Sequence, residues 1–241
     1  MRKSIAVALV AACAAISGCH QADEGGGARV SRNFQVGNFQ QIEVAGPYDV
    51  TVRTGSKPGV SATGSQKLLD RTVVVVQGDK LVIHPQERQG FHIFSINTGG
   101  GADVVVTVPQ LKAATVAGSG DINVDHAQGD RFDGTVAGSG DLRIDRIDAG
   151  AIKLSIAGSG KAKAGAGKAT TAEYSIAGSG DVDAAAIETQ QAKISIAGSG
   201  SVKARATGTA DVSIMGSGAV DVTGGAKCTV SKSGSGSVNC S

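Results

Sequence analysis

Residues 115–134 read TVAGSGDINVDHAQGDRFDG, 135–154 TVAGSGDLRIDRIDAGAIKL, 155–174 SIAGSGKAKAGAGKATTAEY and 175–194 SIAGSGDVDAAAIETQQAKI. These blocks of 20 residues align without a gap on the triplet Gly-Ser-Gly. The triplet recurs at 118–120, 138–140, 158–160, 178–180, 198–200, 216–218 and 234–236, in steps of 20 and then, for the last two, 18. A fixed period of this length marks a stacked structural unit, whereas glycine-rich sequence without a period is low complexity. Apolar residues alternate with small or polar ones on both sides of the triplet. Val116, Val136, Ile156, Ile176, Ile196 and Ile214 stand two places before it, and Ile122, Leu142, Ala162, Val182, Val202, Val220 and Val238 two places after. Thr115, Thr135, Ser155, Ser175, Ser195, Ser213 and Ser231 form a polar column between apolar ones. Period-two alternation is the pattern of half-buried strands.

Twenty residues cannot hold two strands and a crossover helix, but they fit one turn of a single-stranded parallel β-helix. The expected fold is therefore all-β, a β-solenoid with coils of about 20 residues, in which equivalent side chains lie about 4.8 Å apart along the stack. One coil cannot bury its apolar face alone, but a stacked column of Val and Ile can. The inward parity runs through the triplet, so both its glycines fall on the core side. A straight strand through it would be too long for one side of a coil, which predicts a bend there, with the serines pointing outward.

The same register extends towards the N-terminus in degenerate form. Ile42, Val44, Val50 and Val52 match it, with Gly46-Pro47-Tyr48 in place of the triplet. Val73 to Val76, Leu81 to Ile83 and Val104 to Val108 supply further strands, Gln77-Gly78-Asp79-Lys80 reads as a turn, and residues 86 to 101 as a longer loop. The expected organisation is a β-helix domain over 34–241, with irregular coils over 34–111 and repeat coils over 112–241.

The first 18 residues do not belong to that fold. Arg2 and Lys3, then a short apolar run, then Ile16-Ser17-Gly18-Cys19 read as an export signal. The Ile-Ser-Gly-Cys ending resembles the lipobox of bacterial lipoproteins, in which Cys19 becomes the acylated (palmitate-type) N-terminus. The resemblance, with His20 where an Asp signals inner-membrane retention, implies a cell-envelope protein anchored in the outer membrane. Residues 19–33, polar and Gly-rich, read as the lipidated N-terminus and flexible tether. Without Arg2 and Lys3, the chain's 23 basic residues fall to 21, equal to its 21 acidic ones. Such a neutral chain lacks the basic excess that phosphate-backbone binding needs, so nucleic acid is not an expected partner. Cys13 leaves with the signal and Cys19 takes the lipid. Cys228 and Cys240 remain as a pair, and in an exported protein they are expected to form a disulfide, both pointing inward in the last coil.

The opening Ile42-Glu43-Val44-Ala45-Gly46-Pro47-Tyr48-Asp49-Val50-Thr51-Val52, the repeated Ala-Gly-Ser-Gly-Asp of 117–121 and 137–141, and the closing Cys228–Cys240 segment resemble the auto-transporter adhesin, head GIN domain family, over roughly residues 34 to 241. The resemblance implies an exported, right-handed β-helix of pectin-lyase-like shape, without a recognised catalytic set, acting in adhesion.

Candidate chemistry is sparse. Asp121, Asp141 and Asp181 directly follow their triplets, and Asp121-Ile122-Asn123-Val124-Asp125 resembles the start of an EF-hand loop. His126 stands where that loop needs glycine, and the stacked column Asp, Asp, Lys, Asp, Ser reads instead as charge pairing; no metal site or cofactor is expected. Gly165-Ala166-Gly167-Lys168-Ala169-Thr170 misses two required positions of a phosphate loop. The triplet serines lack a base at matching spacing, since His84, His92 and His126 do not repeat with them. No enzyme is expected; the alternative is a carbohydrate-binding or carbohydrate-active protein, which an acidic and basic lateral groove would favour over the Ser, Thr and Ala columns seen in the sequence. Two places are candidates for partner contact: the aromatic cluster Phe91, His92 and Phe94 in the long loop, and the small outer column Ala117, Ala137, Ala157, Ala177 and Ala197, a possible self-association face. The expected partners are the membrane, through the lipid, and an unidentified envelope protein or glycan.

Overall fold

A computed structural model describes residues 29–55, 57–86 and 101–241. The repeat region forms β8 (Ala113–Gly118) once strands β1 (Arg29–Phe34), β2 (Gln41–Ala45), β3 (Tyr48–Thr54), β4 (Gly59–Ser65), β5 (Thr72–Gln77), β6 (Lys80–Pro85) and β7 (Ala102–Val108) have preceded it. It continues through β9 (Ile122–Gly138), β10 (Asp141–Gly158), β11 (Lys161–Ala164), β12 (Gly167–Gly178), β13 (Asp181–Gly198), β14 (Ser201–Gly216), β15 (Ala219–Thr223), β16 (Lys227–Ser233) and β17 (Ser237–Cys240). A one-turn helix, α1 (Gln66–Leu69), follows β4. From β8 onward all ladders are parallel and in register at one period: Ile122 pairs with Leu142, Leu142 with Ala162, Ala162 with Val182. The fold is a parallel β-solenoid of about six turns with coils of roughly 20 residues.

Each coil has three sides. In β10 the inward residues are Leu142 and Ile144, then Ile147, then Ile152, Leu154 and Ile156. Parity slips at the exposed pair Asp145-Arg146 and again around Gly150; the triplet makes the third corner. Strand pairing is interrupted at every triplet, where the sequence predicts a bend, because the glycines there are under two constraints; it also breaks at 165–166 and 224–226. The first of each triplet has a left-handed φ, such as +133° at Gly138 and +132° at Gly158. Its carbonyl then accepts two N–H groups from the next coil, Ser139 (2.9 Å) and Gly140 (3.1 Å) on Gly118. That double acceptance draws the backbones together, and a Cβ at Gly140 would lie 2.0 Å from the carbonyl oxygen of Gly120. The triplet serines are exposed.

The 18-residue steps have a local cause. Ala184 pairs with Ala204 but Glu188 with Arg205, so the corner residues 185–187 have no counterpart in the next coil; one residue is regained between Thr189 and Gln191. Thr189, inward and 1% exposed, stitches this slip by donating to the Arg205 carbonyl (2.8 Å).

The N-terminal third departs from the simple stack expected from sequence. The β2–β3 coil, with Gly46-Pro47-Tyr48 at its corner, does lie beneath β8–β9: Val44 pairs with Val116 and Val50 with Ile122. Its other edge pairs with β6 and β7, which come later in the chain. Beyond them the ladder turns antiparallel, with β5 on β6, β4 on β7 and β1 on β4. β1 also corrects the tether expected over 19–33. Arg29 to Asn33 are strand, because their backbone pairs along β4 and Arg32 donates to the Leu69 carbonyl (3.0 Å) and to Asp70 (2.6 Å).

The core is one continuous column of Val, Ile, Leu and Ala with two buried tyrosines and two buried phenylalanines, Tyr48, Tyr174, Phe39 and Phe132. Tyr174 fills the coil whose other inward positions are Ala162, Ala164, Ala169, Ala172 and Ile176. Its hydroxyl is the one buried side-chain polar atom without a partner among the described residues.

Candidate binding surface

The corner near Gly150 and the side that follows it form a concave strip along the stack. Outward side chains on a strand are spaced by two residues and repeat at every coil, so each column of the strip is one residue type series. Asp133, Lys153, Glu173, Lys193 and Asp211 pair in succession, alternating in sign at every step. Across the corner runs a second series, Asp148, Lys168, Glu188 and Arg205, also alternating. Between them stand Arg131, Ala151, Thr171, Gln191 and Thr209. The result is two adjoining shallow grooves of about 280 and 250 Å³, the larger bounded by Lys153, Glu173, Lys193 and Asp211, the smaller by Lys168, Glu188, Gln190 and Thr207.

Some of these charges are already engaged. Lys153 donates to Glu173 (3.0 Å), Arg131 to both oxygens of Asp133 (2.9 Å each), and Arg205 lies 3.6 Å from Glu188. Asp148 accepts from Arg146 (2.5 Å) and lies 3.3 Å from His126 Nε2. The Arg146 hydrogen bond holds its carboxyl below the usual carboxylate range. The strip is thus a water-facing polar lattice. Its carboxylates are half-buried (Asp133, Asp148, Glu173) or exposed (Glu188, Asp211), and each stands next to a cation in its column.

The strip was not read from the sequence, which points to Ser, Thr and Ala columns instead. Those columns exist, but next to it: Ala137, Ala157, Ala177 and Ala197 are exposed on the outer face, Ala117 is half-buried, and Met215 continues the series 68% exposed. The signal for the strip lies at a fixed offset from the triplet, five places before its first glycine, where charge alternates block by block.

The other sequence candidates resolve into structure. Asp121 and Asp141 each accept the N–H that opens the next coil, from Asp141 (2.8 Å) and Lys161 (2.9 Å), and Asp181 accepts from the Ser201 hydroxyl (2.6 Å). Asp125 clamps the end of β3 through the Thr54 N–H (2.8 Å) and hydroxyl (2.9 Å). These carboxylates extend the ladder past the corner. Among the described residues no three His, Cys, Asp or Glu gather as metal ligands. Gly167 is a corner with φ +138°, and Lys168 joins the charge series. Cys228 and Cys240 form a disulfide, in the columns of Ala210 and Val222. Cys228 is half-buried and Cys240 exposed rather than enclosed, since among the described residues β16 and β17 are stacked on one side only. Cys19 and the cluster Phe91, His92 and Phe94 lie outside the described residues.

The family model described as "Putative auto-transporter adhesin, head GIN domain" matches residues 38–226. The fold is similar to a "putative adhesin" from Bacteroides fragilis, with a TM-score of 0.79 and 19% identity over 90% of this chain and 99% of that one. A "putative adhesin" and a "Putative lipid binding protein", both from Parabacteroides distasonis, give TM-scores of 0.71 and 0.69 at 23% and 24% identity, each over 90% of this chain and 98% of the other. No curated protein matches the chain. The adhesin description and the disulfide agree in pointing to an extracytoplasmic protein.

Proposed function

The chain belongs to this head GIN family, and from that premise we propose that it is a non-catalytic adhesion module of the bacterial cell envelope, held at the outer membrane by a lipid on Cys19. The observation that carries the reading is the lateral strip. Its donors and acceptors recur once per coil along a rigid axis, which suits an extended polar polymer, a glycan chain or an envelope-protein segment, contacted at many equivalent points. Multiple weak contacts along a rigid array give strong attachment without one deep pocket. The small-residue face beside it, from Ala137 to Ala197, lets a partner approach the backbone closely.

A binding screen of the full chain against envelope glycans and envelope proteins tests this. Lys153→Glu with Lys193→Glu reverses two charges of one column and is expected to weaken the identified ligand at least tenfold, with Ala137→Glu and Ala157→Glu acting on the adjoining face. Binding indifferent to all four changes rules out the lateral side. For the anchor, Cys19→Ser should abolish palmitate incorporation; continued labelling would remove the lipid from the proposal.

A further inference from the structure

The larger groove of the lateral strip runs across successive coils, from Arg131 to Asp211. Its charged wall, Lys153, Glu173, Lys193 and Asp211, changes sign at every coil, and Asp133 continues the series. Two coils together advance about 9.6 Å, so like charges recur at that interval. Pairing within the wall is incomplete. Lys153 donates to Glu173 Oε1 (3.0 Å), while Lys193 and Asp211 form no ion pair among the described residues. The facing wall carries Thr171, Gln191 and Thr209, all exposed, whose side chains make no hydrogen bond among the described residues.

These features restrict what can lie in the groove. Arg131, Lys153 and Lys193 balance Asp133, Glu173 and Asp211, so a guest of one sign meets as much repulsion as attraction. Among the described residues no aromatic side chain lines the groove, so a sugar ring finds no face to stack on. A polypeptide guest is sorted by its repeat. An extended strand presents side chains on one face every 6.6 Å or so, and two turns of α-helix advance about 10.8 Å. Three residues of polyproline II advance about 9.3 Å and return to the same face, within about 0.3 Å of the two-coil interval. The polyproline II backbone also keeps its N–H and C=O groups unpaired, and Gln191 with the two threonines can both donate to and accept from them.

We propose that this groove is a track for an extended polypeptide in the polyproline II conformation, lying along the solenoid axis and built on a three-residue repeat with one basic and one acidic side chain. The inference rests on the lateral strip being the binding surface. Basic guest residues meet Glu173 and Asp211, and acidic ones Lys153 and Lys193. An acidic residue next to each basic one falls about 1.7 Å from the intervening coil, within reach of a flexible side chain. Exposed ion pairs are weak, so the Lys153–Glu173 pair opens to a guest at little cost. A slip by one coil sets every guest charge against its like, which fixes the register.

Fluorescence anisotropy of labelled peptides on the full chain tests this. One peptide repeats Lys-Glu-Pro five times, a second has the same composition in scrambled order, and a third repeats Lys-Glu-Pro-Pro five times. All three carry equal numbers of lysine and glutamate, so only spacing separates them. The three-residue repeat is expected to bind at least fivefold more tightly than either of the others. Lys153→Glu with Lys193→Glu should erase that preference, with melting by circular dichroism to show that the variant folds; the comparison on the parent chain stands without it. Equal binding of the three peptides overturns the inference and leaves the strip a binding surface. Glycan binding that Lys193→Glu weakens, with no peptide bound, does the same. Ligands indifferent to every change on the strip sink this inference and the lateral reading together.

Discussion

At the residue scale, Tyr174 shows what a period of 20 residues demands of composition. Four inward alanines leave its coil short of volume, and one large side chain restores it. The cost is a phenol hydroxyl without a partner, whose ionisation burial pushes well above the ordinary value of 10.0. Tyr48, by contrast, reaches the Thr72 hydroxyl at 3.2 Å, and burial raises its ionisation too. The sign of the resulting pH dependence is fixed: above pH 10.0 the unfolded chain releases phenol protons that the native chain retains, so stability is intact below that pH and falls above it. Tyr174→Phe removes an unsatisfied group, and is expected to stabilise by about 1 kcal/mol at neutral pH. It should also shrink the alkaline loss, leaving the part due to Tyr48. Urea titrations of parent and variant at pH 7 and above pH 10 check both; a destabilised variant would mean that the hydroxyl has a partner.

At the scale of the element, the last coil depends on its cross-link more than any other. Among the described residues it has a neighbour on one side only, and its inward positions are half-buried or exposed. Closing a loop of this size adds about 3 kcal/mol in the chain-entropy model. Cys228→Ser with Cys240→Ser should therefore raise amide exchange over 224–241 and leave coils 135–198 protected; unchanged exchange at the C-terminus would contradict it. Elements also show how far the sequence could be read. The triplet bend, the register of the columns and the matching of Ile42–Val52 to the first repeat follow from local spacing, and the cysteine pairing from elimination in an exported chain. β1 is not legible in the sequence because Arg-Val-Ser-Arg-Asn-Phe has one wholly polar face and, on the other, Arg32 between Val30 and Phe34: it is an edge strand held by backbone pairing, by Arg32 and by those two half-buried side chains. The layering of β2–β3 between β6–β7 and β8–β9 was missed because it depends on where the chain returns after leaving a coil, which no short-range pattern records. The lateral strip was legible in principle, since its charges alternate at one offset from the triplet, but concavity comes from the corner geometry.

At the scale of the whole molecule, translation symmetry makes the solenoid modular, with stability carried by contacts between neighbouring coils. Deleting 155–174 joins Leu154 to Ser175, the same junction as Tyr174–Ser175, and is expected to leave a folded chain one coil shorter. It brings Lys153 against Lys193 and Asp148 against Glu188, turning attraction into repulsion along both charge columns. Salt screens either sign, so added salt should raise the melting temperature of the deletion variant relative to the parent. A parent and variant with identical salt dependence would show that the columns contribute nothing to stability.

The intercalated position of β2–β3 has a kinetic consequence. Both ladders of this coil wait for residues synthesised after it, from Lys80 and from Ala113 onward, whereas the repeat coils find their partners one period away. Pairing across such long stretches is slow, because loop closure precedes any reward from contact. A chain emerging amino end first is therefore expected to assemble its regular turns before its opening one, with the seating of residues 41–54 between their two neighbours as the slow step.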